Sequence, residues 1–350
     1  MGYQETPGKT FAGRRSVALW ALCMAGVAAA HAASPVAGIR PPAPAPGGRP
    51  ERSVSEWLMR MHDASRLRSY VGTFVVSSNT GMSSARIWHA CDGERQVERV
   101  ESLTGAPRST FRRNDEVVTF LPERRVVRTE RRESLALFPG LLKSSESSIP
   151  EFYDARRLGT DRVAGFETEV VELSPRDKLR FGYRIWSETR SGLVVKLQTI
   201  DAEGNVLEQA AFSELQLDAP VHIDKLSRMM AAPEGWRVEK IGAIKTSAEA
   251  EGWHLKSAVA GFKPVSCYKR PASGAPAPEG TLQWIFSDGL AAVSLFVEPY
   301  DRQRHLREGL FASGATQTLT RRVEDWWLTA VGEVPPQTLM AFAHSLERRR

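Results

Sequence analysis

The sequence is poor in cysteine. Three in 350 residues exclude a disulfide-dense scaffold, and no CxxC pair supplies a redox or zinc motif. The short signatures that carry chemistry are missing too: there is no GxSxG nucleophile elbow, no phosphate-cradling glycine loop and no HExxH. Apart from one stretch near the N-terminus, long apolar runs are absent, which excludes a polytopic membrane protein. A formal charge of +6 falls far short of a nucleic-acid-binding signature, but suits contact with acidic partners or anionic lipid. What is present is ordinary soluble usage, 42% hydrophobic and 25% charged, which excludes a collagen or a wholly disordered chain. The length suits two domains.

Residues 1–32 read as a signal peptide. Arg14-Arg15 form a positive n-region, 16–30 (SVALWALCMAGVAAA) an apolar stretch, and Ala30-His31-Ala32 a small-x-small cleavage pattern. The stretch is shorter than the roughly 20 residues of a spanning helix, which favours cleavage over a retained anchor. The flanking residues fit the general secretory path better than the twin-arginine route. Cys23 lacks the preceding small residue that a lipoprotein site requires. Cleavage removes Lys9, Arg14 and Arg15 together with Glu5, a net +2, and leaves +4. Residues 33–52 are rich in Pro and Ala, have no periodic apolar face and read as a tether. The destination is the periplasm of a Gram-negative bacterium.

Residues 53–217 read as the first domain. Ser53-Val54-Ser55-Glu56 is a capping box, and Val54, Trp57, Leu58 and Met61 form one helical stripe. The period then changes to that of short strands, at 70–76, 85–89, 96–103, 116–121 and 125–129. Turn residues separate them: Asn79-Thr80-Gly81, Asp92-Gly93, Gly105-Ala106-Pro107, Asn114-Asp115 and Pro122. Further strands follow at 167–173, 181–187, 193–200 and 206–215. One helix followed by nine or so antiparallel strands predicts a strongly curved sheet wrapped over helical segments. The pattern lapses over 218–235, read as an interdomain linker, and Trp236 opens a smaller unit over 236–346. That unit has strand runs at 265–269, 282–287, 292–297 and 326–331, a loop over 271–280, and a Ser287-Asp288-Gly289 hairpin turn. Its closing helix over 337–346 puts Leu339, Phe342, Ala343 and Leu346 on one face.

No catalytic constellation assembles. Ser266-Cys267-Tyr268-Lys269 matches the SxxK pattern of serine acylases, but it falls in a strand run and has no partner motif. No histidine is spaced with another ligand as a metal pair, and His89, beside the Cys91-Asp92-Gly93 turn, reads as packed rather than ligating. Neither a metal nor a cofactor is expected. Cys91 and Cys267, one in each domain, are read as separate buried thiols in preference to an interdomain disulfide.

Binding chemistry is better represented. Arginines recur as Arg112-Arg113, Arg124-Arg125, Arg128, Arg131-Arg132 and Arg156-Arg157. Guanidinium forks take phosphates and carboxylates bidentately, so Arg124, Arg125 and Arg128 are candidates for a lipid headgroup or an acidic partner. The competing reading is a solvated face balanced by Glu116, Glu123, Glu130 and Glu133. Beside them, 135–142 (LALFPGLL) is apolar on every side and broken by Pro139-Gly140. Leu135, Leu137, Phe138, Leu141 and Leu142 are candidate acyl contacts, or else a plug for the hollow of the sheet.

Several segments, taken in order, resemble the MucB/RseB family, periplasmic negative regulators of the envelope-stress (sigma-E type) sigma factor. They are Trp57-Leu58, Tyr70-Val71-Gly72-Thr73-Phe74, Arg86-Ile87-Trp88-His89, the Glu98 to Arg108 stretch, Tyr183-Arg184-Ile185-Trp186, Ser191-Gly192-Leu193 and Val206-Leu207-Glu208-Gln209. In the second unit the likeness continues through Pro233-Glu234-Gly235-Trp236, Ser287-Asp288-Gly289-Leu290 and Val331-Gly332-Glu333-Val334-Pro335. The short Asn79-Thr80-Gly81 hairpin and the 271–280 insert lie outside that pattern. The resemblance implies an α+β chain: a large LolA/LolB-like half-open antiparallel β-barrel domain with helices, then a smaller mixed α/β C-terminal domain. It implies binding without catalysis. The partner would be the periplasmic domain of a membrane-spanning anti-sigma factor, shielded from the site-1 protease. Lipopolysaccharide or lipoprotein acyl chains would trigger release, with self-association left open. Two rivals stand beside it: a lipid or lipoprotein carrier without a peptide partner, and a hydrolase built on Ser266 and Lys269.

Overall fold

The computed structural model describes residues 54–93, 95–131, 149–271 and 280–349. Helix α1 (Val54–Leu67) follows from its apolar stripe, with Glu56 in the first turn and Arg66 in the last, each favoured by the helix dipole. A run of antiparallel strands comes next: β1 (Tyr70–Ser78), β2 (Gly81–Cys91), β3 (Gln96–Ser102), β4 (Ser109–Arg113), β5 (Glu116–Leu121) and β6 (Val126–Arg131). The short helix α2 (Ile149–Phe152) then leads into β7 (Tyr153–Val163), β8 (Phe166–Pro175), β9 (Gly182–Glu188), β10 (Val194–Ile200) and β11 (Val206–Leu217). Helix α3 (Ile223–Arg228) and β12 (Arg237–Ile241) end this part of the chain.

These strands form a 12-stranded sheet in the order β12-β6-β5-β4-β3-β2-β1-β11-β10-β9-β8-β7. Every neighbour is antiparallel except β12, which pairs parallel to β6. Residues 237–241 lie beyond the expected linker, yet by pairing they belong to this first sheet. The sheet does not close on itself, and the result is a half-open barrel. Its inner face is covered by α1: Trp57, Leu58 and Met61 pack with Leu173, Tyr183 and Ile185, and Ala64 with Tyr70, Ile87, Trp186 and Phe212. Burying each large apolar side chain contributes about 1.5–3 kcal/mol, so this one stripe holds the helix in place.

The outer face is covered by the segment read as a linker and by Trp236 just after it. Val221, Ile223 and Leu226 sit on Trp88, Ala90 and Val97, and Met230 and Trp236 on Phe111, Val118, Phe120 and Val127. Its apolar residues are too few and too irregular to show a period, but they cover the apolar part of an outer face that also carries Arg86 and Arg99.

The second body comprises β13 (Ile244–Lys245), β14 (Trp253–Leu255), β15 (Lys263–Pro271), β16 (Gly280–Ser287), β17 (Ala292–Pro299), β18 (Gly309–Ser313), β19 (Thr316–Val323) and β20 (Trp326–Gly332). Helix α4 (Pro336–Ser345) and β21 (Leu346–Arg348) complete it. A 7-stranded sheet runs β13-β15-β16-β17-β20-β19-β18, and β14 and β21 form a small ribbon. Leu339, Phe342 and Ala343 of α4 pack on Phe286, Val293, Leu295 and Leu328.

Candidate functional site

Several places in the described residues combine charge with aromatic surface, and two of them lie at a junction or a cleft. The first joins the two bodies. The turn Ser287-Asp288-Gly289-Leu290 is held by Asp288 Oδ1, which accepts from the Leu290 and Ala291 amides at 2.9 and 2.8 Å. Asp288 Oδ2 faces the first body and accepts from Arg180 Nε at 2.8 Å and from the Tyr153 hydroxyl at 3.1 Å. Both charged side chains are 0% exposed. Arg180 also donates to the Ala260 carbonyl at 2.6 Å and pairs with Asp177. Its guanidinium lies 4.2 and 5.0 Å from the ring centroids of Phe152 and Phe262. Gly261, at φ +79°, is required here because a side chain would overlap Arg180 and Phe152. A buried ion pair is costly to desolvate, and it persists where each guanidinium nitrogen has a partner, as here. Burial pushes the Asp288 carboxyl up, while the two amides, Arg180 and Tyr153 pull it back. Leu290 packs into the first body's core, and Thr338 donates to the Leu179 carbonyl at 2.8 Å.

A second junction contact lies at the sheet ends. The Gly314 amide donates to Asn79 Oδ1 at 3.2 Å. Glu208 of the first body accepts the Ala315 amide, and burial raises its carboxyl. Glu333 of the second body is pushed up to about 7, first by burial and then by the charge of Glu208.

The other place is a cleft of about 460 Å³ between the outer face of the first sheet and the α3 segment. Trp88 stands directly across the β2–β3 pairing from Arg99. The guanidiniums of Arg86 and Arg99 lie 5.3 and 4.7 Å from its ring centroid. His222 and Lys225 face them with Leu226 and Met229, and no carboxylate lines the cleft. Arg99 is tied to Glu101 at 2.7 Å and Ser109 at 3.2 Å. Such a surface offers cationic donors above an apolar floor, which suits an anion carrying an apolar body.

The structure divides the arginines that sequence groups together. Arg124 and Arg125 are exposed at the turn between β5 and β6, Arg125 in the left-handed region at φ 48°. Arg128 lies on β6, with Nη2 3.3 Å from Glu239 and Nε shut off from solvent without a hydrogen-bond partner. Arg156 and Arg157 are on β7, the opposite edge of the sheet, paired with Glu172 and Glu169 at 2.9 Å each. Leu135, Leu137, Phe138, Leu141 and Leu142 lie outside the described residues, as do the signal peptide, the Pro/Ala-rich tether and most of the 271–280 insert.

The remaining sequence candidates resolve simply. Lys269 Nζ bonds Glu251 at 2.6 Å, and its strand position, three residues from Ser266, puts the two side chains on opposite faces. His89 is buried, stacks on Tyr70 at 4.9 Å and bonds the Arg68 carbonyl at 2.8 Å. Burial pulls its pKa down, as for a core histidine. Cys91 and Cys267 are free, and burial pushes the Cys267 thiol up to about 11. Arg180 was not singled out from sequence, and its only signal is a charge next to the apolar Phe181. The Trp88–Arg99 stack was hidden by strand periodicity, which assigns both residues to a solvated face.

The MucB/RseB N-terminal domain model matches residues 53–230 and the MucB/RseB C-terminal domain model residues 247–347. The chain belongs to the MucB/RseB family. The sigma factor AlgU regulatory protein MucB of Pseudomonas aeruginosa is 29% identical over 302 residues, covering 84% of this chain and 90% of that protein. The sigma-E factor regulatory protein RseB of Escherichia coli K12 is 25% identical over 297 residues, 83% of this chain and 89% of its own. A crystal structure of MucB in complex with MucA(peri) superposes with a TM-score of 0.64 at 26% identity, covering 85% of this chain and 100% of that one.

Proposed function

We propose that the protein is a periplasmic binding regulator. It holds the periplasmic segment of a membrane-spanning anti-sigma factor, shields it from site-1 proteolysis, and releases it when lipopolysaccharide or a related lipid signal arrives. The observation that carries this reading is the likeness, along both domains, to a MucB whose crystal structure contains MucA(peri). The mode is binding rather than catalysis, a reading favoured by the Lys269–Glu251 pairing that leaves Ser266 without a base.

For the lipid signal, the basic cleft around Trp88 supports recognition of an anionic headgroup. Arg124 and Arg125 remain headgroup candidates at the adjoining turn, with Leu135, Leu137, Phe138, Leu141 and Leu142 as acyl contacts. The test is co-purification of residues 33–350 with the periplasmic segment of the anti-sigma factor, with and without lipopolysaccharide. Binding that lipopolysaccharide reverses supports the regulator. Lipid retained without any peptide binding would replace it with a carrier.

A further inference from the structure

A sheet edge presents a row of unpaired backbone groups, and proteins ordinarily blunt it with charge, bulges or shortness. Among the described residues, the sheet edges follow that rule with one exception. β7 carries Asp154, Arg156, Arg157, Asp161 and Arg162, and its register is broken between Arg157 and Gly159. β12 has Arg237, Glu239 and Lys240 in five residues. β13 is two residues long, and β14 and β21 are three residues each. β18 ends the second sheet with the sequence GLFAS, which has no charge and no bulge in its pairing with β19. Leu310 is 45% and Phe311 46% exposed on it, and Leu306 just before it is 81% exposed.

We infer that β18 is a docking edge that takes one added strand from an extended, acidic peptide. On the regulator reading, that peptide belongs to the anti-sigma factor's periplasmic segment. In such strand addition the backbone bonds supply affinity, and alternate side chains rest on the flanking apolar surface. Five residues span about 17 Å, enough for a short strand. The exposed parts of Leu306, Leu310 and Phe311 amount to on the order of 300 Å². That is well below the roughly 800 Å² per partner of a stable interface, which argues against a second copy of this chain as the occupant. Charge selects the peptide. Arg302 and Arg307 precede the strand and Arg321 lies on β19, and none of the three has an ion-pair partner among the described residues. The far end of the edge is held still, because the Gly314 amide in the β18–β19 turn is bonded to Asn79 of the first body.

The experiment uses the chain from residue 33 and the labelled periplasmic segment of the anti-sigma factor. Binding is measured for wild type, for the Leu310→Glu/Phe311→Glu double variant, for Leu306→Glu, and for Arg156→Glu on β7 as a control. Hydrogen exchange of the wild-type 309–313 amides is followed with and without the segment. The expected result is at least tenfold weaker binding by the double variant, a smaller loss for Leu306→Glu, no loss for the control, and protection of the β18 amides in the complex. Wild-type binding that is unchanged in both edge variants, with unprotected β18 amides, overturns the edge and leaves the regulator standing. Absence of wild-type binding removes both together. A wild-type dimer in sedimentation that the edge variants dissociate would make β18 a self-interface and overturn the peptide assignment.

Discussion

Two of the places where arginine meets aromatic rings have opposite outcomes. At the domain junction Arg180 is clasped by Phe152 and Phe262, faces Asp288 and Asp177, and has no solvent exposure. In the cleft Arg86 and Arg99 flank Trp88, the lining has no carboxylate, and the volume beside them is open. The chemistry is the same, but the satisfaction is not. Where each guanidinium nitrogen has a partner, the arginine fixes a geometry; in the cleft the same stack borders open volume.

The largest expected effect breaks the satisfied side. Asp288→Ala leaves a fully buried guanidinium without its main carboxylate, and should cost about 3–5 kcal/mol. Thermal unfolding checks it, and a variant melting like wild type would remove the junction from its structural role. Next comes pH. Glu333 is raised from the ordinary 4.5 to about 7, so the joined form favours its proton. The stabilisation is therefore present below about 4.5 and is lost as pH rises through about 7, by at most about 3 kcal/mol. The melting temperature should fall between pH 5 and pH 8, with a shallower slope in Glu333→Gln; equal slopes would assign the dependence elsewhere. Smaller still is the cleft. Arg86→Glu combined with Lys225→Glu should leave stability within about 0.5 kcal/mol. The same pair should weaken retention of an anionic lipid about tenfold, measured by vesicle co-sedimentation, and unchanged retention would close the cleft as a site. The smallest effect is redox: with both thiols free, a reductant should not shift the melt, and a shift would reveal a bond between Cys91 and Cys267.

Local signals were legible and long-range ones were not. The capping box and the Trp57, Leu58, Met61 stripe predict α1, and alternation with turn residues predicts β1, β3, β5, β6 and β8 to β11 close to their observed bounds, with only the centre of β2. β7 was missed because YDARRLGTDRV carries charges on both faces, and an edge strand needs no apolar alternation. The parallel pairing of β12 with β6 could not be read, since the partners are far apart in sequence and five charged or half-buried residues carry no register signal. The arginine run misled for the same reason: adjacency along the chain became opposite edges once the strands were ordered. Asp288 was visible as part of a turn, whereas its partner Arg180 was not, because a buried ion pair is defined by two distant residues at once.

The segment over 218–236 has a consequence for where the molecule can be divided. It seals the outer face of the first sheet and ends in β12, stitched to β6. A cut placed at residue 217, where strand periodicity stops, would strip Phe111, Val118, Phe120 and Trp88 of their cover and present a greasy wall to water. A piece of the first half that keeps this cover runs to Ile241. The division between the halves is a seam sewn onto one of them, because the chain leaves the first sheet at Ile241 and not at Leu217.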